Sequence, residues 1–245
     1  MPTTWYTANV IGIKEIARKV KSFTIEIPDV SSFEFKAGQF ITIDLPIGEK
    51  RLQRWKSYSI ANAPDGSNRL ELCIVHYENG PGSSYFFNEV SIGTVLRFKG
   101  PEGGFVLPDP IHSDLVFICT GTGIAPFRSM LHDMVNRQIA DKKVHLIFGT
   151  RTMKDLLYYD ELLDFEKKIP GFKFDISLSR EEHIGDDPHF HKGYVHQVYL
   201  KEYKDRRPDL QFFICGWSKM IDEAVENIFG ELKYDRKQIA YELYG

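Results

Sequence analysis

The chain has 245 residues, 42% of them apolar and 27% charged. That composition excludes intrinsic disorder and allows one large domain or two of ordinary size. A net charge of -3 gives no global basic field for nucleic acid, and no apolar run approaches the length of a membrane span.

Charge is uneven along the chain. Residues 1–60 hold nine Lys and Arg against six Asp and Glu, a surface that suits an acidic partner or simply a solvated face. The three cysteines, Cys73, Cys119 and Cys215, are odd in number and form no CxxC. They argue against a disulfide framework and fit a reducing cytoplasm, where the chain is expected. Three cysteines also cannot ligate a four-cysteine iron–sulfur cluster, so any such cluster is expected on another protein. The start of the chain, Met1 to Trp5, does not read as a secretory signal.

Taken in order, the first hundred residues read as short strands. These are Trp5 to Ile13, Val20 to Ile27, Gln39 to Leu45, Lys56 to Ala61, Arg69 to Tyr77 and Thr94 to Lys99. All are rich in β-branched or aromatic residues, and Pro, Gly, Asn and Asp punctuate them. Six such strands predict a small antiparallel barrel, with one helical piece from Ser84 to Val90. After Pro108 the texture changes. The buried-strand run Leu115 to Cys119 is followed by a glycine turn and a helical pattern through Ile124, Phe127, Leu131 and Met134. Then come strand Val144 to Phe148, helix Lys154 to Lys168, strand Phe172 to Leu178 and helix Val195 to Tyr203. Strand Phe212 to Cys215, helix Lys219 to Leu232 and strand Gln238 to Leu243 complete the chain. Strand–helix alternation predicts a parallel α/β sheet. The expected domains are residues 1–108, an antiparallel barrel, and residues 112–245, an α/β domain.

Thr120-Gly121-Thr122-Gly123-Ile124-Ala125-Pro126 joins a strand to a helix. Glycines let a backbone approach a ligand, and a helix start offers free N–H groups, so the turn suits a phosphate or pyrophosphate. An ordinary tight turn uses the same residues. The stretch is neither a Rossmann GxGxxG nor a Walker loop.

At this point the chain resembles the ferredoxin–NADP⁺ reductase superfamily over nearly its whole length. The turn Gly121 to Met130 is similar to that family's pyrophosphate turn. Lys56-Ser57-Tyr58-Ser59 is similar to its RxYS flavin motif, and Gly80-Pro81-Gly82-Ser83 to its GxxS loop. Cys215-Gly216 and Glu242-Leu243-Tyr244 are similar to its two later motifs. The resemblance implies a barrel that binds FAD, an α/β domain that binds a nicotinamide nucleotide, and electron transfer to a ferredoxin or flavodoxin. It implies that Tyr58 lies against one flavin face, that Ser59 hydrogen-bonds near the reacting flavin nitrogen, and that Gly82, Ser83 and Ser84 hold the diphosphate. It further implies that Cys215 and Glu242 lie beside the nicotinamide, and that Tyr244 covers the other flavin face until nucleotide displaces it. Lys56 stands where the family has Arg and offers a point charge rather than a fork, which keeps FMN as the lesser alternative to FAD. Arg54, two residues earlier, is expected on the same strand face as a second cation.

Ser179-Arg180 and Lys192-Gly193-Tyr194 are similar to the pairs with which plant-type members hold the 2′-phosphate, which favours NADP(H) over NAD(H). Glu181, Glu182, Asp186 and Asp187 in the same loop oppose a phosphate. His183, His189, His191 and His196 cluster nearby, but their spacing fits no closed zinc pattern, so solvated surface is expected and no metal. Alternative functions are a flavin or ferric reductase, the reductase component of an oxygenase using NADH, and a catalytically silent dinucleotide-binding subunit.

Overall fold

The computed structural model describes residues 4–244, in two compact units. One runs up to Val106 and includes Ala125–Asp133; the other takes Leu107–Ile124 and the chain from Met134 onward.

The first unit holds β1 (Trp5–Ala17), β2 (Val20–Glu26), β3 (Phe40–Asp44), β4 (Trp55–Ser59), β5 (Arg69–Val75) and β6 (Val95–Glu102), with helices α1 (Arg51–Arg54) and α2 (Pro81–Asn88). The strands form one antiparallel sheet in the order β4-β3-β6-β1-β2-β5, and a bridge between Ile60 and Leu72 joins its two edges into a barrel. Alternation drives the closure. Phe23 and Ile25 point inward beside Ile41, Ile43, Phe86 and Phe98, all fully buried, while Thr24 and Glu26 face out. Each such side chain contributes about 1.5–3 kcal/mol on burial.

The second unit holds β7 (Asp114–Thr120), α3 (Ala125–Asn136, whose first nine residues belong with the barrel), β8 (Val144–Thr150) and α4 (Tyr159–Lys168). There follow β9 (Phe172–Leu178), β10 (Phe190–Lys192), α5 (Val195–Glu202), β11 (Leu210–Trp217), α6 (Ser218–Glu226) and β12 (Ile239–Tyr244). All six strands are parallel, in the order β10-β9-β8-β7-β11-β12. Leu115 to Cys119 are buried without a break, as a strand covered on both faces requires.

Several boundaries differ from expectation. The first helical piece begins at Pro81, because a helix start loses nothing to a residue without an N–H. The helix expected from Lys154 begins only at Tyr159, because Tyr158 sits at φ 58, a left-handed conformation no helix continues through. The short elements α1 and β10 carry too few residues to show a period.

On one face of the parallel sheet, Asp175 Oδ2 accepts from His145 Nε2 at 2.5 Å, and His145 Nδ1 lies 2.6 Å from Tyr203 Oη. A carboxylate only accepts, so the neutral ring carries its proton on Nε2 and takes the tyrosine proton at Nδ1. Burial pushes His145 below its ordinary 6.5, and the hydrogen bond to Asp175 opposes this only in part. As pH falls below 6.5, the unfolded imidazole therefore binds a proton before the folded one, and stability drops until the folded ring also titrates. We expect His145→Gln to flatten the fall of Tm between about pH 7 and 5. An unchanged slope in thermal unfolding would place its source elsewhere.

Candidate functional site

In the barrel unit, β4 and the start of α2 meet. A Cβ at Gly82 would stand 3.0 Å from Lys56 Cγ and 3.1 Å from Tyr58 Oη, so glycine lets the helix start sit against these two side chains without either giving way. Lys56 and Tyr58 share one strand face, while Ser59 points the other way and is 4% exposed. Tyr58 meets Phe86 edge to face at 5.2 Å, and burial raises its hydroxyl pKa well beyond the ordinary range, so it stays protonated.

The roles of α2's first residues divide differently from expectation. The Ser83 hydroxyl is occupied locally: it accepts from the Tyr77 N–H at 3.0 Å and lies 3.0 Å from the Gly80 carbonyl. The Ser84 N–H donates to Gly80 O at 2.9 Å. The groups that helix geometry leaves for an anion are the N–H of Gly82 and of Ser83. Arg54 is not on the strand. It ends α1, and its Nη2 pairs with Asp44 Oδ2 at 2.7 Å, on the face of Trp55 rather than of Lys56, because Asp44 is in register with Trp55. Its Nε has no hydrogen-bond partner, and among the described residues Lys56 makes no ion pair. A cation, two free N–H groups, a protonated tyrosine and space that a Cβ would fill together fit a dinucleotide carrying an aromatic ring.

In the second unit the strand order reverses between β7 and β11, and open parallel sheets bind ligands outside the carboxyl ends of the strands at such a reversal. Thr120 ends β7 there, and Cys215-Gly216 lies at the end of β11. The fit is backbone on backbone. A Cβ at Gly123 would lie 2.5 Å from Cys215 O, and one at Gly216 would lie 2.6 Å from Thr120 Oγ1. Packing of the turn by itself therefore demands glycine at position 123. Gly121, with φ +54, has open space around it. Thr122, within the short 3₁₀ turn, is buried, and so is Pro126, the second residue of α3. Thr120 Oγ1 is buried with no hydrogen-bond partner.

Cys215 sits in register between Cys119 and Glu242. Burial first, then the Glu242 charge and Cys119, hold its thiol well above the ordinary range, while a hydrogen bond from Tyr244 opposes them. The thiol stays protonated, which suits packing and not nucleophilic attack.

At the same carboxyl edge, Ser179 follows β9 and its N–H donates to Thr150 O at 3.0 Å. The Arg180 N–H donates to Arg151 O at 2.8 Å, and Lys192 ends β10 in register with Leu178. Tyr194 is 61% exposed and its ring stacks on His196 at 5.7 Å. Arg151 was not singled out from the sequence; its only signal is a cation directly after a buried strand. Among the described residues no carboxylate lies within ion-pair reach of Arg151, Arg180 or Lys192, whereas Arg54, Arg69, Arg128, Arg137 and Arg207 each have one. Two of the four opposing acids are engaged elsewhere: Glu181 accepts from the Met153 N–H at 2.9 Å, and Asp187 from Tyr159 Oη at 2.6 Å. Two of the histidines are not solvated surface either: His189 bonds Asp187 and His191 bonds Asp175. No three-residue metal cluster occurs among the described residues.

The two glycines of the turn make opposite demands. Gly123→Ala should destabilise the fold by about 1–3 kcal/mol and weaken nucleotide binding, because its methyl overlaps a carbonyl that cannot move away. Gly121→Ala should cost only about 1 kcal/mol of backbone strain. Denaturant unfolding of both variants checks the order, and equal costs would refute the packing assignment.

Comparison with known proteins places these features. The oxidoreductase FAD-binding domain matches residues 7–107, and the oxidoreductase NAD-binding domain matches residues 117–226. Ferredoxin–NADP reductase B of Sorangium cellulosum is 32% identical over 98% of this chain and 97% of its own length. The anthranilate 1,2-dioxygenase electron transfer component of Acinetobacter baylyi is 31% identical over 82% of this chain, which spans only 56% of that protein. Several other curated relatives are likewise longer than the chain, which covers less than two thirds of each. A crystal structure of a ferredoxin NADP⁺ reductase from Neisseria gonorrhoeae with bound FAD and NADP superposes with a TM-score of 0.79, at 26% identity and 99% coverage of both chains. With both halves matched and a relative of this identity covered end to end, the chain belongs to the ferredoxin–NADP reductase superfamily and is a flavin-dependent oxidoreductase that binds FAD and a nicotinamide nucleotide.

Proposed function

We propose that this chain moves a hydride between NADP(H) and FAD and exchanges single electrons with a separate ferredoxin or flavodoxin. The observation that carries the NADP(H) preference is the trio Arg151, Arg180 and Lys192, cations at one sheet edge with no carboxylate in ion-pair reach among the described residues. All three are exposed, so water solvates them in the free chain, and a 2′-phosphate offers them charge-assisted hydrogen bonds in its place.

FAD, when bound, supplies the conversion between two-electron and one-electron chemistry. The chain's residues bind and orient. Lys56 and the N–H groups of Gly82 and Ser83 hold a diphosphate, and Tyr58 offers ring area with its hydroxyl protonated. Ser59 offers a hydroxyl from the opposite face of β4. The Gly121 turn holds the nucleotide's pyrophosphate, as the α/β switch point favours. Cys215 and Glu242 line the nicotinamide end, where a neutral thiol adds no charge. Tyr244, hydrogen-bonded to Cys215, gives way when nucleotide enters.

An acidic carrier suits the outer face of the barrel. There Trp5 and Trp55 pack at 5.3 Å, with Arg97 over one ring at 4.3 Å and Arg51 and Lys99 over the other at 5.0 Å. The second reading, the reductase component of an oxygenase using NADH, draws on the resemblance to the anthranilate dioxygenase component. Rates with ferredoxin, flavodoxin, free flavin and ferric chelate, each driven by NADPH and by NADH, separate the two.

Arg180→Ala should raise KM for NADPH by roughly tenfold or more while leaving that for NADH nearly unmoved, since a charged hydrogen bond contributes about 1.5–3 kcal/mol. Equal effects in steady-state kinetics would defeat the NADP(H) assignment. Tyr244→Ser should tighten binding of both nucleotides, because it removes a competitor and leaves a smaller residue; unchanged dissociation constants in a titration would argue against displacement.

A further inference from the structure

The strand β10 is only three residues long and lies at the sheet edge, yet it delivers Lys192 and, two residues on, Tyr194. Ordering each backbone residue costs about 1–2 kcal/mol, so three ladder positions hold such a segment weakly without side-chain ties. Two histidines supply them. His189 stacks on Phe174 at 4.2 Å and 12°, and its Nδ1 lies 2.8 Å from Asp187 Oδ1. His191 Nε2 donates to Asp175 Oδ1. Phe174 and Asp175 are consecutive residues of β9 and therefore point to opposite faces, so the two histidines grip β9 from both sides. Asp175 is itself fixed from behind by His145, which Tyr203 holds in turn. At the exit of β10, the Gly193 N–H donates to Leu178 O at 3.0 Å.

We propose that His191 and Asp175 are positioning residues for nucleotide selection: their bond sets the rotation and register of β10 so that Lys192 and Tyr194 stand beside Arg180 at the 2′-phosphate. The proposal rests on the reading that Arg180, Lys192 and Tyr194 take that phosphate. Neither His191 nor Asp175 touches nucleotide. They act through the strand, by the period of two that puts Lys192 opposite His191.

The test uses the FAD-loaded full chain. His191→Ala removes the donor and leaves the Asp175–His145 bond in place; His191 is partly exposed, so the fold should survive. His191→Asn is a second variant, polar but too short to reach Asp175. His191→Gln restores an N–H at the reach of Nε2. Steady-state KM and kcat are measured for NADPH and NADH, and dissociation constants for adenosine 2′,5′-bisphosphate and adenosine 5′-monophosphate. We expect Ala and Asn each to raise KM for NADPH and Kd for the bisphosphate about tenfold, with kcat, NADH and the monophosphate within about twofold, and Gln to recover most of the loss. Equal effects on both nucleotides, no effect on either, or failure of Gln to restore would overturn the proposal. Arg180→Ala run in parallel separates the two ideas. If Arg180→Ala discriminates the nucleotides and the His191 variants do not, positioning alone falls. If Arg180→Ala does not discriminate, the phosphate reading falls and takes the positioning with it.

Discussion

At the break in strand order between β7 and β11, backbone meets backbone closer than any side chain allows. Gly123 lies against the Cys215 carbonyl, and Gly216 against Thr120. This contact lets the turn after β7 close down over the end of β11, and it leaves Gly121 with open space on the outer side. It also accounts for two glycine motifs, almost a hundred residues apart in sequence, belonging to one structure. Neither has its meaning alone. Gly123 is committed to packing against β11, and its neighbour two positions earlier is free of such contact.

The barrel uses the same device once more. The missing side chain at Gly82 lets α2 begin against Lys56 and Tyr58. At Gly82 a helix start is brought against a cation and an aromatic ring, and the free donors there are main-chain N–H groups. Side-chain charge is secondary, and it is distributed to match. Arginines with a structural task, such as Arg128 with Glu71 and Arg207 with Asp114, carry a carboxylate partner. Arg151, Arg180 and Lys192 at the sheet edge do not. On the proposed reading, an oxyanion of the nucleotide completes that pattern.

Periodicity made the architecture legible. The alternation in β2 and the unbroken apolar run in β7 each admit one kind of sheet, and both appear where the pattern places them. What escaped was short or defined by its partners. Three residues of β10 show no period, and four residues of α1 show none either, so Arg54 read as a strand neighbour of Lys56 when it is the end of a helical turn. Histidines 189 and 191 read as solvated surface because the residues that bind them, Asp187 and Asp175, are a turn and a strand away. Arg151 escaped because nothing in the sequence sets it apart from other exposed cations. A sequence shows which groups are present and not which remain unneutralised after folding.

These differences bear on how selectivity is arranged. NADP(H) and NAD(H) share the pyrophosphate and the nicotinamide, so the turn at Gly121 and the Cys215 end meet the same chemistry in either. Only the far adenosine end differs, and on the proposed reading it meets the edge strand, the part of the sheet with the fewest ladder bonds. A three-residue strand tied by histidine–carboxylate pairs can change its presentation of Lys192 without disturbing Val116, Ile118 or Ile214 in the buried core. Placing discrimination at an edge held by polar ties separates it from the closely packed glycine contact, where even one added methyl meets a carbonyl. On that reading, nucleotide choice is set at an edge that can shift, while main-chain packing constrains the end of β11.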